Sequence, residues 1–337
     1  MKTFVRLIRY CLFMSVTAFS AGCHSSDSAA TQPKAVISQK VPLPDIPSAS
    51  GIEWVGDHYY VIGDDSPYLF CLNAEFKVVQ KVPLLEADSL VEGRIPKTVK
   101  PDLEAITSLT LDGQPYVFII GSGSTTARHN GYLVPLSRQG AGKPVLIPLQ
   151  PLYDQLRHDK SIIGEATLNI EGLAADEEYL YLLQRFAPGG NNVLITYTLS
   201  AIEPYLSGKG PAPKPNSVQT WALPEMEQIK TGFSGLAQAL GGRLLFTASA
   251  EETPNAVLDG EIYGSLVGWL KAHTADEAGH LAKPQVVVPI TEANGTPYKS
   301  KVESICIIEE DRHHLQAVAV SDNDNGASEL IKLTFSW

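Results

Sequence analysis

Three glutamates occupy the same place in a recurring phrase, where acids could do chemistry. Glu104-Ala105-Ile106, Glu171-Gly172-Leu173 and Glu303-Ser304-Ile305 each run from an acid through a small residue into an apolar stretch. Ser50-Gly51-Ile52 and Ser234-Gly235-Leu236 repeat the phrase with a hydroxyl in place of the acid. If the phrases share one axis, the carboxyls repel one another. Raised pKa values, a bound divalent cation or neighbouring Arg and Lys would relieve them. Each form of relief implies its own chemistry. Calcium takes six to eight oxygens, and the metal-ligand candidates are Glu104, Glu171, Glu303, Asp64, Asp322 and Asp324. Carboxyls with separated pKa values perform acid–base hydrolysis, which makes Glu104, Glu171 and Glu303 the catalytic candidates. Arg185 joins them as a charge stabiliser, and Arg185, Arg128 and Lys301 are the cations available to neutralise the ring or hold an anion. A purely structural role competes with all of these, since acids at strand starts also bind neighbouring backbone.

The spacing of the phrases dictates what must position them. Their first residues are 54, 67, 63 and 69 residues apart, a period of stacked supersecondary units. Behind each phrase comes a polar turn and a second apolar run: Tyr59 to Ile62, Tyr116 to Ile120, Tyr179 to Leu183, Leu244 to Phe246 and Ala317 to Val320. Such β-branched and aromatic runs, bounded by Gly and Asp, predict strands. Two more strands follow in each of the first four units, but only Leu330 to Phe335 follows in the fifth. Ala35 to Leu43 stands unassigned before the first unit. The expectation is therefore an all-β chain, a five-bladed β-propeller whose N-terminal strand closes the last blade. A six-bladed form requires hidden strands around 89–101 or 150–168. Short helices are expected at Leu152 to His158 and Ala201 to Leu206, the second opened by a Ser200/Glu203 capping box.

In this topology the phrase residues ring one channel mouth, and the loops after the second strands rise beside them. Ser50, Asp64, Ser122, Arg128, Ser234 and Glu251 are accordingly the ligand-binding candidates. Asp322-Asn323-Asp324-Asn325-Gly326 has the opening cadence of a calcium loop, but its Gly comes one residue early and no Glu stands at position 12. The same residues make an ordinary tight turn. Gly232 to Leu236 lacks the last glycine of a nucleophile elbow, and Gly121 to Ser124 lacks the Lys-Ser/Thr ending of a P-loop.

Lys2, Arg6 and Arg9, a short apolar run from Tyr10 to Phe19, and Ser20-Ala21-Gly22 lead into Cys23. This order resembles a bacterial lipoprotein signal: 1–22 the signal peptide, Cys23 the lipidated residue, 24–34 a polar tether and 35–337 the propeller domain. His24, rather than Asp, implies sorting to the outer membrane of a Gram-negative cell envelope. The membrane is then a partner through Cys23, and a monomer is expected. A formal charge of −11, falling to −14 without the three basic signal residues, argues against nucleic acid. Cys71 and Cys306 lie in apolar runs and read as buried thiols.

Asp102-Leu103-Glu104-Ala105-Ile106, Asn169-Ile170-Glu171-Gly172-Leu173-Ala174 and Ser321-Asp322-Asn323-Asp324 resemble phrases of bacterial phytase-like envelope propellers, a group that includes esterase-like phytase domains and SdiA-regulated propellers. That resemblance implies a calcium-stabilised propeller with phosphoester hydrolysis as one activity, and Glu104, Glu171, Glu303, Asp64 and Asp322 as site residues. The chain departs from it in carrying Ser50 and Ser234 where further acids would stand, and in lacking a dense Lys/Arg cluster.

Overall fold

A computed structural model describes residues 32–86, 90–91, 93–252, 260–272, 281–322 and 328–337. Almost all of the regular structure is strand. One four-stranded antiparallel sheet runs Ala49–Val55, His58–Gly63, Tyr68–Leu72, Val78–Pro83. Another runs Ile170–Ala175, Tyr179–Gln184, Asn192–Thr198, Ser217–Trp221. A five-stranded sheet has Leu103–Leu111, Gln114–Gly121, Asn130–Ser137 and Val145–Pro148 in line, with Gly140–Ala141 paired beside Asn130–Ser137.

The remaining sheet has eight strands. Half of it is Thr231–Gln238, Arg243–Glu252, Glu261–Lys271 and Val286–Thr291. The other half is Lys34–Pro42, Ser328–Ser336, His314–Asp322 and Lys301–Glu310. Lys34–Pro42 joins them. It pairs antiparallel with Ser328–Ser336, from Lys34↔Ser336 to Pro42↔Glu329, and parallel with Val286–Thr291 at Ala35↔Ile290 and Val36↔Thr291. The N-terminal strand expected from the sequence thus sits beside the C-terminal one.

The first strands of the units, Ala49–Val55, Leu103–Leu111, Ile170–Ala175, Thr231–Gln238 and Lys301–Glu310, neighbour one another in a closed circle. The core lies between the sheets, and each apolar cluster is shared by consecutive units. Phe233, Leu236 and Phe246 of one unit pack with Ala174, Tyr181 and Leu183 of the preceding one, for example. The second strands read apolar on both faces because neighbouring sheets cover both.

All five phrases turn out to be β-bulges. In the pairing of first with second strand, Ala49 faces Gly63 and Gly51 faces Ile62, so Ser50 is skipped. Glu104, Glu171, Ser234 and Glu303 are skipped in the same way. A bulge bends the strand and re-aims the extra side chain. At Gly51 and Gly235 the small residue that follows the bulge lies close to the next unit, whereas Gly172 makes room for Leu183 of its own unit. A Cβ on Gly235 would lie 2.8 Å from the Ser304 Cα and 2.6 Å from Thr247 Oγ1.

The 150–168 insertion folds as helices Gln150–His158 and Lys160–Ile163, and a further helix spans Leu199–Leu206. The capping-box expectation is corrected. Thr198 is the N-cap, no side chain caps the helix, and exposed Ser200 hydrogen-bonds Thr198 Oγ1 at 3.3 Å. Extended backbone at Thr198 starts the helix two residues earlier than the Ser200/Glu203 spacing suggests. Cys71 and Cys306 are free, buried thiols.

Candidate functional site

Backbone bonds set the loop residues beside the bulges. The N–H of Asp64 donates to Ser48 O at 3.0 Å, that of Ser122 to Asp102 O at 2.9 Å and that of Arg185 to Asn169 O at 2.9 Å. In each case the residue after a second strand is held to the residue two before a bulge. Asp64, Ser122 and Arg185 therefore stand next to Ser50, Glu104 and Glu171 for one repeated reason. Asp102 makes its turn with φ at 50°, a left-handed conformation that Asp tolerates better than most residues.

Around Glu104 the acids gather. Asp64, Asp102 and Glu104 each offer a carboxylate oxygen within 4.8 Å of the others, the one group of three potential metal-ligating residues among those described. Asp102 is held on several sides: it accepts from Ser122 Oγ at 2.5 Å and Arg128 Nη1 at 2.7 Å, and Lys100 Nζ lies 3.0 Å away. Lys100 also bonds Asp64 Oδ2. Asp64 Oδ1 is buried and accepts no hydrogen bond, and Glu104 makes none among the described residues. Burial pushes Asp64 up to about 6, with Asp65 and Asp102 adding to it and Lys100 opposing. Burial, Asp102, Glu171 and Asp64 together hold Glu104 well above the ordinary glutamate value. Burial disfavours the Lys100 ammonium, but Asp64, Asp102 and Glu104 outweigh it and raise its pKa.

The other side of the ring is more nearly balanced. Asn169 Nδ2 donates to Glu171 Oε1 at 2.6 Å. Arg185 Nη1 donates to Phe233 O at 2.9 Å and Ser249 Oγ at 3.0 Å, while Nη2 meets Glu251 Oε2 at 3.1 Å. Lys301 lies 2.9 Å from Glu303 Oε1 and 3.9 Å from Glu251 Oε2. Glu303 Oε2 is buried and accepts nothing. Burial pushes the Glu303 carboxyl up to about 8, with Glu171 adding and Lys301 opposing. Arg185 feels Glu171, Glu251, Glu303 and Glu104 in that order, so the ring of acids shares one electrostatic field.

The five phrase residues divide by type. Ser50 Oγ donates to Leu103 O, and Ser234 Oγ donates to Val302 O at 2.6 Å. Both hydroxyls stitch one unit's bulge to the next unit's first strand. An ionised glutamate has no hydrogen to donate to a carbonyl, so Glu104, Glu171 and Glu303 cannot replace the serines in that bond. Glu171, Glu303 and Asp322 do not belong to the close acidic group, although Asp322 is buried at the end of the strand paired with Lys301. Asp324 lies outside the described residues.

Sequence reasoning missed Lys100 and the central place of Asp102, and it missed the pair Arg94–Asp65, 2.5 Å apart, that ties the 93–101 connection to the mouth. The readable signal was the position two before each bulge, which holds Asp102, Asn169 and Lys301 as well as Ser48 and Gly232.

The sequence profile of a family of unknown function (DUF6929) matches residues 45–335. No curated protein matches the chain. Among solved structures, the glutaminyl cyclase of Myxococcus xanthus is similar at a TM-score of 0.47 and 10% identity, over 90% of this chain and 97% of that one. The Cellvibrio cellulosa α-L-arabinanase complexed with arabinohexaose gives a TM-score of 0.43 at 14% identity, over 89% and 93%. A Dyadobacter fermentans protein of unknown function gives 0.42 at 10%, over 90% and 99%. The likeness of the phrases to phytase-like propellers rests on the phrases alone.

Proposed function

Because the chain belongs to the DUF6929 family of unknown function, we propose a function from the site itself: a five-bladed β-propeller that binds a divalent cation, calcium by preference, at its acidic mouth. The observation that carries this reading is the Asp64–Asp102–Glu104 group with its unpartnered Asp64 Oδ1. A buried carboxylate oxygen with no donor is costly, and oxygen-rich carboxylate clusters suit hard cations. Asp64, Asp102, Glu104, Glu171, Glu251 and Glu303 lie with Lys100, Arg128, Arg185 and Lys301, while Arg94 pairs with Asp65 and buried Asp322 adds a further acid, so carboxyls outnumber cations at the mouth and a divalent cation would reduce the excess. Lys100 is the internal competitor, and its ammonium would move aside as the cation enters.

Calcium titration followed by thermal unfolding tests this. Saturating calcium at a hundred times its dissociation constant should stabilise the fold by about 2.7 kcal/mol. Asp64→Asn and Glu104→Gln should each remove most of that gain. A Tm indifferent to both calcium and EDTA refutes the cation site.

One observation favours a second reading, hydrolysis. Glu104 is unbonded, and burial followed by Asp102, Glu171 and Asp64 raises its pKa, the direction a general acid needs. With a metal at Asp64 and Asp102, the chemistry would be phosphoester cleavage; without one, a second glutamate would supply the base of a glycosidase. Arg185 is an unpromising anion receptor, because its Nη1 is committed to backbone carbonyls and Ser249 and its Nη2 to the Glu251 carboxylate. Turnover of aryl phosphoesters or aryl glycosides, abolished in Glu104→Gln, would promote this reading.

We place the protein in the cell envelope as a monomer anchored by Cys23, on the order of basic, apolar and small residues before that cysteine. No described helix is long and apolar enough to cross a membrane. Cys23→Ala should move the protein from the membrane to the soluble fraction.

A further inference from the structure

The first strands converge at a second level as well as at the mouth. Three or four residues past each bulge they line a cavity of about 230 Å³, to which Glu53, Ser108, Ala175, Gln238 and Cys306 contribute, one from each strand. Contribution from all five strands at one register places the cavity on the shared axis. At about 3.3 Å per residue, it lies roughly 10–13 Å along the strands from the bulges. None of the mouth residues lines it.

Its electrostatics differ from those of the mouth. Glu53 is its one carboxyl, and among the described residues no Lys, Arg or His lines it. Ser108 Oγ donates to Glu53 Oε1 at 2.9 Å. Gln238 commits its amide nitrogen to Ala239 O at 2.6 Å, which leaves its amide oxygen as an acceptor. Burial pushes Glu53 up to about 7 against the Ser108 bond, and burial followed by Glu53 raises the Cys306 thiol. A lone carboxyl without a cationic partner, in a space larger than any monatomic ion, is unlike a folding ion pair.

We propose that this axial cavity is a second binding site, taking a small organic cation with one positive charge and several hydrogen-bond donors, of which a hydroxylated primary ammonium is the simplest. One positive charge matches one carboxylate. A divalent metal would leave net positive charge buried and would find one carboxyl where calcium needs six to eight oxygens. The acceptors are the Glu53 carboxylate, the Gln238 amide oxygen and the hydroxyls of Thr107 and Ser108. Glu53 is faced by Ser108 on one strand and Cys306 on another, and Ala175 and Gln238 bring no charge.

The test uses ethanolammonium chloride with the full chain, read by calorimetric titration and Tm. Saturable binding is expected that equimolar sodium chloride, potassium chloride and ethylene glycol do not reproduce. Affinity should fall tenfold per pH unit below about 7, since Glu53 must release its proton while the amine retains its own. Glu53→Gln should weaken binding at least tenfold, whereas Glu104→Gln at the mouth should leave it unchanged. Should Glu53→Gln lose its native circular dichroism, Ser108→Ala and the wild-type pH slope decide. Absence of saturable binding, equal effects of the simple salts, or unchanged affinity in Glu53→Gln overturns the proposal. Because the mouth variant is included, failure here is separable from failure of the cation site.

Discussion

Asp64 and Glu303 make the mouth sensitive to pH. Their folded pKa values, about 6 and about 8, lie above the ordinary carboxylate values. A carboxyl raised on folding costs nothing while both states are protonated, and its penalty grows as pH climbs from the unfolded to the folded pKa. Stability without metal should therefore decline from about pH 4 to pH 8. Calcium at the Asp64 group would cancel the share due to Asp64, so its Tm increment should be larger at pH 8 than at pH 5. An increment that is flat or falls with pH would remove Asp64 from the site. The serines of the ring have a different duty. Ser234→Ala strands the Val302 carbonyl and should cost about 1–2 kcal/mol in urea unfolding without altering calcium affinity. Recurrence predicts that Glu104, Glu171 and Glu303 take equivalent places, and each is the bulged residue of its first strand; it does not foretell that of the three only Glu104 joins a close acidic group, with Asp64 and Asp102. Lys100 and Arg94 were not legible, because they come from an irregular connection whose path no periodicity encodes.

The bulge is the element that turns a repeat into a site. One skipped residue per first strand lifts five side chains out of the alternating pattern and delivers them to the axis. The small residue behind it lets adjacent strands approach. Gly235→Ala forces a Cβ against the Ser304 backbone and should destabilise by about 1–3 kcal/mol, measurable in denaturant unfolding. Ser200→Ala should change stability by less than about 0.5 kcal/mol, since that hydroxyl is exposed and caps nothing. The sequence shows that strands exist, because Tyr, Val, Ile and Leu runs alternate with Asp- and Gly-containing turns. It does not show the bulges. A single unpaired residue leaves no mark on composition, and small–apolar phrases suit flat strands equally well. The helix start moved for a related reason: Ser200 and Glu203 have capping chemistry, but Thr198 has the extended backbone.

For the molecule as a whole, what matters is where Lys34–Pro42 is seated. That strand fills the gap between Ser328–Ser336 and Val286–Thr291. Removing residues 1–42 should abolish a single cooperative unfolding transition, whereas removing residues 1–31 should leave the transition intact. The gap was legible as an arithmetic imbalance, one strand too many at the start and one too few at the end. Its parallel contact with Val286–Thr291 was not, because two residue pairs carry no pattern.

This seating also fixes an order of events during biosynthesis. Lys34–Pro42 cannot form its antiparallel ladder until Ser328–Ser336, far downstream, has been made. Until then that edge stays unsatisfied and exposed to mispairing with any other strand nearby. Assembly is therefore gated by synthesis of Ser328–Ser336, and a nascent chain stalled before residue 328 should stay protease-sensitive.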